Sequence, residues 1–253
     1  MAILEVERLT KFFGGFRAVA ALSFAVEEGE LLGLVGPNGA GKTTTFNLIT
    51  GFARPTAGRI RFLADDVTGH PPHDLARRGL VRTFQHTTLF ARLSVEENVR
   101  IGCFMQLPPG LRPTLLGLSP AERARLDGRV DEIVAFAGLG RHRRSAAQDL
   151  AYGDQRTLEI AVALGASPRL LLLDEPFAGM NHGEADLCMA LIHRTRGRGV
   201  TVLLVDHHMD TLMKHCDRLV VMHHGEKLAE GTPAAIRSDP RVIETYLGGP
   251  VDA

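Results

Sequence analysis

Residues 36–43 read GPNGAGKT, set between the apolar run Glu30 to Val35 and the stretch Thr44 to Thr50. The order Gly, four residues, Gly-Lys and then Ser or Thr is that of a phosphate-binding loop. Small residues let backbone N–H groups close around a polyphosphate, and the loop feeds a helix whose N-terminal dipole favours anions. Lys42 adds a point charge for the β and γ phosphates, and Thr43 adds a hydroxyl for a magnesium ion. Glycines at 36, 39 and 41 have the wrong spacing for the dinucleotide pattern. The bland alternative, a glycine-rich surface turn, sits poorly with the flanking strand and helix.

Outward from this loop, Ile3 to Leu9 and parts of Ala18 to Val26 alternate apolar and polar residues, as strands with one solvated face do. Gly14-Gly15 makes the turn between them, beside Phe12 and Phe13. The helix after the loop stops at Gly51, Gly58 to Leu63 returns as a strand, and Leu80 to Phe84 is a further short strand ending on Gln85. Ser94 to Glu97 and Ser119 to Glu122 are capping boxes, the second with Pro120 at the first helical position. Gln106 to Leu118 reads as an inserted loop. Residues from about 94 to 165 therefore form a mostly helical block interrupting an α/β pattern.

Leu170 to Glu175, LLLLDE, is predicted to be a buried parallel strand that ends in two acids. Carboxylates at that edge of a parallel strand stand where α/β ligands bind. Asp174 is the expected holder of magnesium and Glu175 the group that orients or deprotonates a water. Two acids capping the next helix is the competing reading. Val200 to Val205 is a further apolar strand, followed by Asp206-His207-His208, where a histidine is within reach of a γ-phosphate.

In a chain of 253 residues, 29 basic and 29 acidic side chains balance, so no broad basic face for nucleic acid is implied. The cluster Arg141 to Arg144 reads as a solvated surface. Cys103, Cys188 and Cys216 are scattered, which fits a reducing compartment. The apolar runs fall short of the roughly 20 residues of a bilayer span, and Met1 to Thr10 does not resemble a signal peptide. The chain is expected to be soluble by itself. Eleven histidines invite a metal reading, but no set with a usual zinc spacing completes it.

The order of phosphate loop, Gln85, LAYGDQR at Leu150 to Arg156, LLLLDEP at Leu170 to Pro176 and VDHH at Val205 to His208 resembles the nucleotide-binding subunit of an ATP-binding cassette (ABC) transporter, over nearly the whole chain. The resemblance implies an α/β fold: a P-loop NTPase core with a predominantly parallel sheet, an N-terminal antiparallel β subdomain and the inserted helical subdomain. Residues 1–248 would form the ATP-binding domain and 249–253 a short tail. It further implies that two cassettes, the same or paralogous, sandwich two ATP molecules. Phe13 would stack on adenine, and Gly36, Pro37, Asn38, Gly39, Ala40, Gly41, Lys42, Thr43 and Thr44 would cradle the phosphates. Thr43, Gln85 and Asp174 would hold magnesium; Glu175 would be the catalytic carboxylate, His207 the switch histidine, and Gln85 a sensor of the attacking water. Ala151, Tyr152, Gly153 and Asp154 would face the nucleotide of the opposite subunit, and Phe177 to Asn181 would cross the dimer interface.

FAGMN at Phe177 to Asn181, LSVEENVRIG at Leu93 to Gly102, the LAYG opening and VIETYLG at Val242 to Gly248 resemble the ATPases of branched-chain amino-acid importers. That branch implies a separate membrane permease, an extracytoplasmic solute-binding protein and a place on the inner face of the membrane. Relatives in that branch carry urea, short amides or other small organic solutes; an ABC ATPase for another substrate such as lipid, or a cassette ATPase outside transport, is the alternative. Two departures stand out. Ala151 lacks the hydroxyl usual in the signature, and Asp154 stands where Gln is usual, bringing a like charge toward the opposite triphosphate. His182 and His208 also replace the family's common Pro and Asp.

Overall fold

The computed structural model describes residues 1–83, 89–104, 118–206 and 209–247. Strands β1 (Ala2–Phe13) and β2 (Phe16–Glu27) form a long antiparallel hairpin whose turn is Gly14-Gly15. β1 also pairs with β4 (Ala57–Phe62), and β4 with the short β5 (Asp65–Asp66), giving the order β2-β1-β4-β5.

The second sheet carries the chemistry. Its strands are β3 (Leu31–Val35), β6 (Leu80–Arg82), β7 (Leu170–Asp174), β8 (Thr201–Val205), β9 (Arg218–His223) and β10 (Glu226–Gly231), in the order β10-β9-β3-β8-β7-β6. All pairings are parallel except β9 with β10. Both faces are covered, so the central strands read as continuous apolar runs. Successive residues alternate between two cores as the period of a strand demands. Leu171, Leu173, Val202 and Leu204 join one cluster, while Leu170, Leu172, Leu203 and Val205 join the other.

The first cluster packs against α3 (Val95–Cys103), α4 (Pro120–Phe136), α5 (Tyr152–Gly165) and α6 (His182–Gly197). The second packs against α1 (Lys42–Ile49), α2 (Pro72–Arg77) and the antiparallel sheet. The expected capping boxes open α3 at Ser94 and α4 at Ser119. A third, Asn181 with Glu184, opens α6. Helices α3 and α5 cross in backbone contact: a Cβ on Gly102 would lie 2.1 Å from the Val162 carbonyl oxygen. α6 is tied to α7 (Met209–His215) by His193 Nε2 and His215 Nδ1, 3.0 Å apart.

Strand ends differ slightly from the sequence reading. The strand begun at Leu80 is regular to Arg82, and Thr83 N–H still donates to the Leu172 carbonyl of β7 at 3.0 Å; Phe84 and Gln85 lie outside the described residues. Among the described residues no helix is long and apolar enough to cross a membrane.

Candidate functional site

The loop of residues 36–41 leaves β3 at the carboxyl edge of the sheet and delivers Lys42 as the first residue of α1. Gly41 takes φ +99°, and a Cβ there would lie 2.5 Å from the carbonyl oxygen of Ala18. Only glycine accepts both the dihedral and the approach. That approach lays the β1–β2 hairpin over the loop and closes a cleft of about 260 Å³ lined by Phe16, Ala18, residues 38–44 and Glu175.

Lys42 is 7% exposed, and its ammonium donates to the carbonyls of Gly36 at 2.6 Å and Pro37 at 3.0 Å. Burial lowers its proton affinity, opposed by the charges of Glu175, Asp174 and Asp206. Three acids from the ends of β7 and β8 are thus arranged around one lysine.

Glu175 follows β7 with φ +46°, a left-handed conformation that costs a non-glycine residue energy. Its N–H donates to the Val205 carbonyl at 2.8 Å, which ties the turn to β8. The turn aims the carboxylate into the cleft beside Lys42. Asp174 is 3% exposed, and Arg82 Nη2 donates to its Oδ2 at 2.6 Å. Arg82 Nη1 also donates to Asn47 Oδ1 at 2.6 Å, joining β6, β7 and α1 behind the cleft. An arginine in an apolar strand calls for a buried acid, a signal that Leu80-Val81-Arg82 carries without saying which acid answers it.

Phe13 pairs across the hairpin with Phe16 and carries the Lys11 ammonium 5.0 Å from its ring centroid. Phe16, which the sequence reading did not single out, lines the cleft. Gln85 and His207 lie outside the described residues.

Ala151, Tyr152, Gly153 and Asp154 begin α5, away from the Lys42 cleft of the same chain. The Tyr152 hydroxyl donates to the Ala178 carbonyl at 2.9 Å and accepts from Arg156, whose own partner is the buried Glu159 at 2.9 Å. Asp154 lies 3.3 Å from His142 Nε2 and 3.6 Å from Arg141 Nη2. The phosphate loop and this second stretch therefore stand apart on one chain.

A family profile described as "ABC transporter" matches residues 19–178, more than half of the chain. The chain belongs to the ABC transporter family. A second profile, "Branched-chain amino acid ATP-binding cassette transporter", matches residues 226–252 of the cassette. The cassette is 44% identical over 253 residues to the high-affinity branched-chain amino acid transport ATP-binding protein BraF of Pseudomonas aeruginosa, covering 97% of this chain and 98% of that protein. It is 42% identical over 249 residues to the corresponding LivG of Escherichia coli K12, with 97% and 98% covered. A nucleotide-free ATP-binding cassette from an ABC transporter superposes with TM-score 0.85 at 32% identity, covering 98% of this chain and all of that one. The fold expected from the sequence is the fold observed, and the cassette is an ATPase.

Among the described residues, no group of three or more His, Cys, Asp or Glu side chains could hold a metal alone. A magnesium ion that arrives with nucleotide uses one or two carboxylates plus phosphate oxygens. Thr43 in the cleft wall and Asp174 at the end of β7 offer the hard oxygen donors it requires.

Proposed function

We propose that this cassette powers import of branched-chain amino acids, or a closely related small solute, through a separate membrane permease. The observation that carries the chemistry is the convergence of Lys42 and Glu175 on one cleft, with Asp174 and Asp206 close enough to act on the lysine. The match over residues 226–252 and the named relatives support the solute class.

The backbone N–H groups of the loop and Lys42 bind the β and γ phosphates. Phe13 and Phe16 at the hairpin tip supply aromatic surface for the base. Thr43, Asp174 and Gln85 would hold a magnesium ion, which would neutralise phosphate charge. Glu175 aligns the attacking water and accepts its proton, and His207 contacts the γ-phosphate. The half-site at Ala151 to Asp154 faces the nucleotide of a second cassette, with Phe177 to Asn181 crossing between them, so a pair completes two sites. Residues 1–248 act as one ATP-binding unit with the helical block about 94–165 inserted.

A mostly apolar groove of about 320 Å³, with Val81, Leu89, Phe90, Ile101 and Val162 in its wall, opens between β6 and the α3–α5 block. It supports docking of a permease helix there and a peripheral place on the inner face of the membrane, with the extracytoplasmic solute-binding protein acting through the permease. Reconstitution with the permease subunits of a branched-chain amino-acid importer tests the reading. ATP-driven uptake of L-leucine, absent in Lys42→Ala and displaced by isoleucine and valine but not urea, is expected; uptake displaced only by a non-amino-acid solute would overturn the cargo assignment.

A further inference from the structure

At the opposite edge of the parallel sheet from the phosphate loop, a second cavity of about 290 Å³ opens between α4, the end of α5 and the end of α6. Ile133, Leu164 and Val200 give it an apolar wall. Its mouth is charged. Glu132 bridges two guanidinium groups, accepting from Arg129 at 2.7 Å and from Arg198 at 2.8 Å. Arg198 in turn lies 3.7 Å from the centroid of the Phe136 ring, which holds it at the rim.

Thr195 lines the same cavity. It is 1% exposed, and its Oγ1 has no hydrogen-bond partner among the described residues. A helical threonine ordinarily donates to the carbonyl one turn back. That hydroxyl is itself closed to solvent, so the groups that face a ligand are the apolar wall and the charged rim.

Two arginines against one glutamate leave the mouth with a net positive charge that accepts a carboxylate, while Glu132 accepts an ammonium group. The salt-bridged arginines hold that glutamate ionised. The volume stands at the small end of metabolite pockets, which begin at roughly 300 Å³. A compact molecule with adjacent negative and positive groups and a short aliphatic chain satisfies all of these features. We propose that the cavity binds a free aliphatic α-amino acid and that binding lowers ATP turnover. The ligand bridges α4 to the end of α6. It also touches Leu164 on α5, the helix that begins at Tyr152 in the second half-site. The helical block is thereby tied to the core from behind. That this ligand is also the cargo rests on the branched-chain reading; the site itself does not.

Calorimetric titration of the full chain with L-leucine is the test, with 4-methylpentanoate and 3-methylbutylamine as singly charged analogues and glycine as the analogue lacking a side chain. L-Leucine is expected to bind at least about tenfold more tightly than any analogue. Glu132→Gln and Arg198→Met should each weaken it by a similar factor while fluorescent ATP analogue binding stays unchanged. Saturating L-leucine should slow ATP turnover in the wild type and not in Glu132→Gln. Absence of leucine binding up to about 10 mM, or binding indifferent to both substitutions, would overturn the site; binding with unchanged turnover would overturn the regulation. Leucine import by a complex whose cassette fails to bind leucine would overturn this inference and leave the cargo reading standing. Binding without import would do the reverse.

Discussion

The Tyr152 hydroxyl donates to the Ala178 carbonyl at 2.9 Å, so the start of α5 is fastened to the loop that follows Asp174 and Glu175. Arg156 donates to the same hydroxyl through two of its nitrogens. Tyr152→Phe keeps the ring and removes the junction. A loss of about 1 kcal/mol, equivalent to roughly 2–4 °C in melting temperature, is expected. ATP turnover should fall by a larger factor than nucleotide affinity if, as proposed, the start of α5 and the loop after Glu175 must keep their mutual register. Calorimetry and steady-state ATP titrations on one preparation would reveal equal losses in both parameters if the bond were merely structural.

Arg82 and Asp174 form a buried ion pair, with side chains 6% and 3% exposed. Removing one partner of such a pair costs about 3–5 kcal/mol, because the other charge is stranded. Arg82→Met should therefore destabilise strongly, and adding Asp174→Asn should recover most of the loss while hydrolysis stays absent. Additive losses in urea melts of the two single variants and the double would refute the pairing as the source.

Asp154 has partners within its own chain, His142 and Arg141, and it occupies the first turn of α5 where a negative charge is favoured. This local compensation opposes the repulsion toward a facing triphosphate that the sequence suggests. Asp154→Gln is expected to leave turnover within about twofold and to cost under about 1 kcal/mol of stability, as partly exposed pairs do. Turnover rising several-fold in the variant would show that the charge repels nucleotide after all.

Glu175→Gln preserves size and the left-handed backbone, so the melting temperature should stay close to the wild type. Loss of a general base typically costs about 10²–10⁴-fold in rate. The stalled protein should accumulate as an ATP-bound pair, visible by light scattering with magnesium and ATP. Normal hydrolysis would remove Glu175 from the catalytic role.

His215 has its proton affinity lowered by burial and then by the neighbouring His193 ring, with Lys214 adding and Asp186 opposing. The unfolded imidazole takes a proton near pH 6.5, whereas the folded one does so only at lower pH. In the window between them the unfolded chain holds more protons, so stability rises with pH and is lost as pH falls below about 6.5. His215→Gln should flatten the dependence of melting temperature between about pH 5 and 7; an unchanged slope would assign it elsewhere.

Local patterns made most of the architecture legible. The loop at Gly36 to Thr43, the apolar runs ending at Asp174 and Val205, and the capping boxes at Ser94 and Ser119 are each contained in a few consecutive residues. The box at Asn181 and Glu184 has the same signature but was hidden inside a stretch read as an interface loop. What escaped was pairing at long range. Arg82 with Asp174, His193 with His215 and the rim of Glu132, Arg129 and Arg198 join separate elements, and nothing in one element announces its partner. Phe16 was missed for a related reason: its place in the cleft depends on how closely the hairpin approaches Gly41, not on its neighbours in the chain.

The crossing of α3 and α5 at Gly102 has a mechanical consequence. Side-chain layers can slide or repack under load, but a joint made of two backbones has no such layer to yield. α3 and α5 therefore turn together as one stiff lever, with the groove at Ile101 on one arm and Tyr152 at the tip of the other. A single methyl at residue 102 would act as a shim in that joint, prising the arms apart and leaving each free to move without the other.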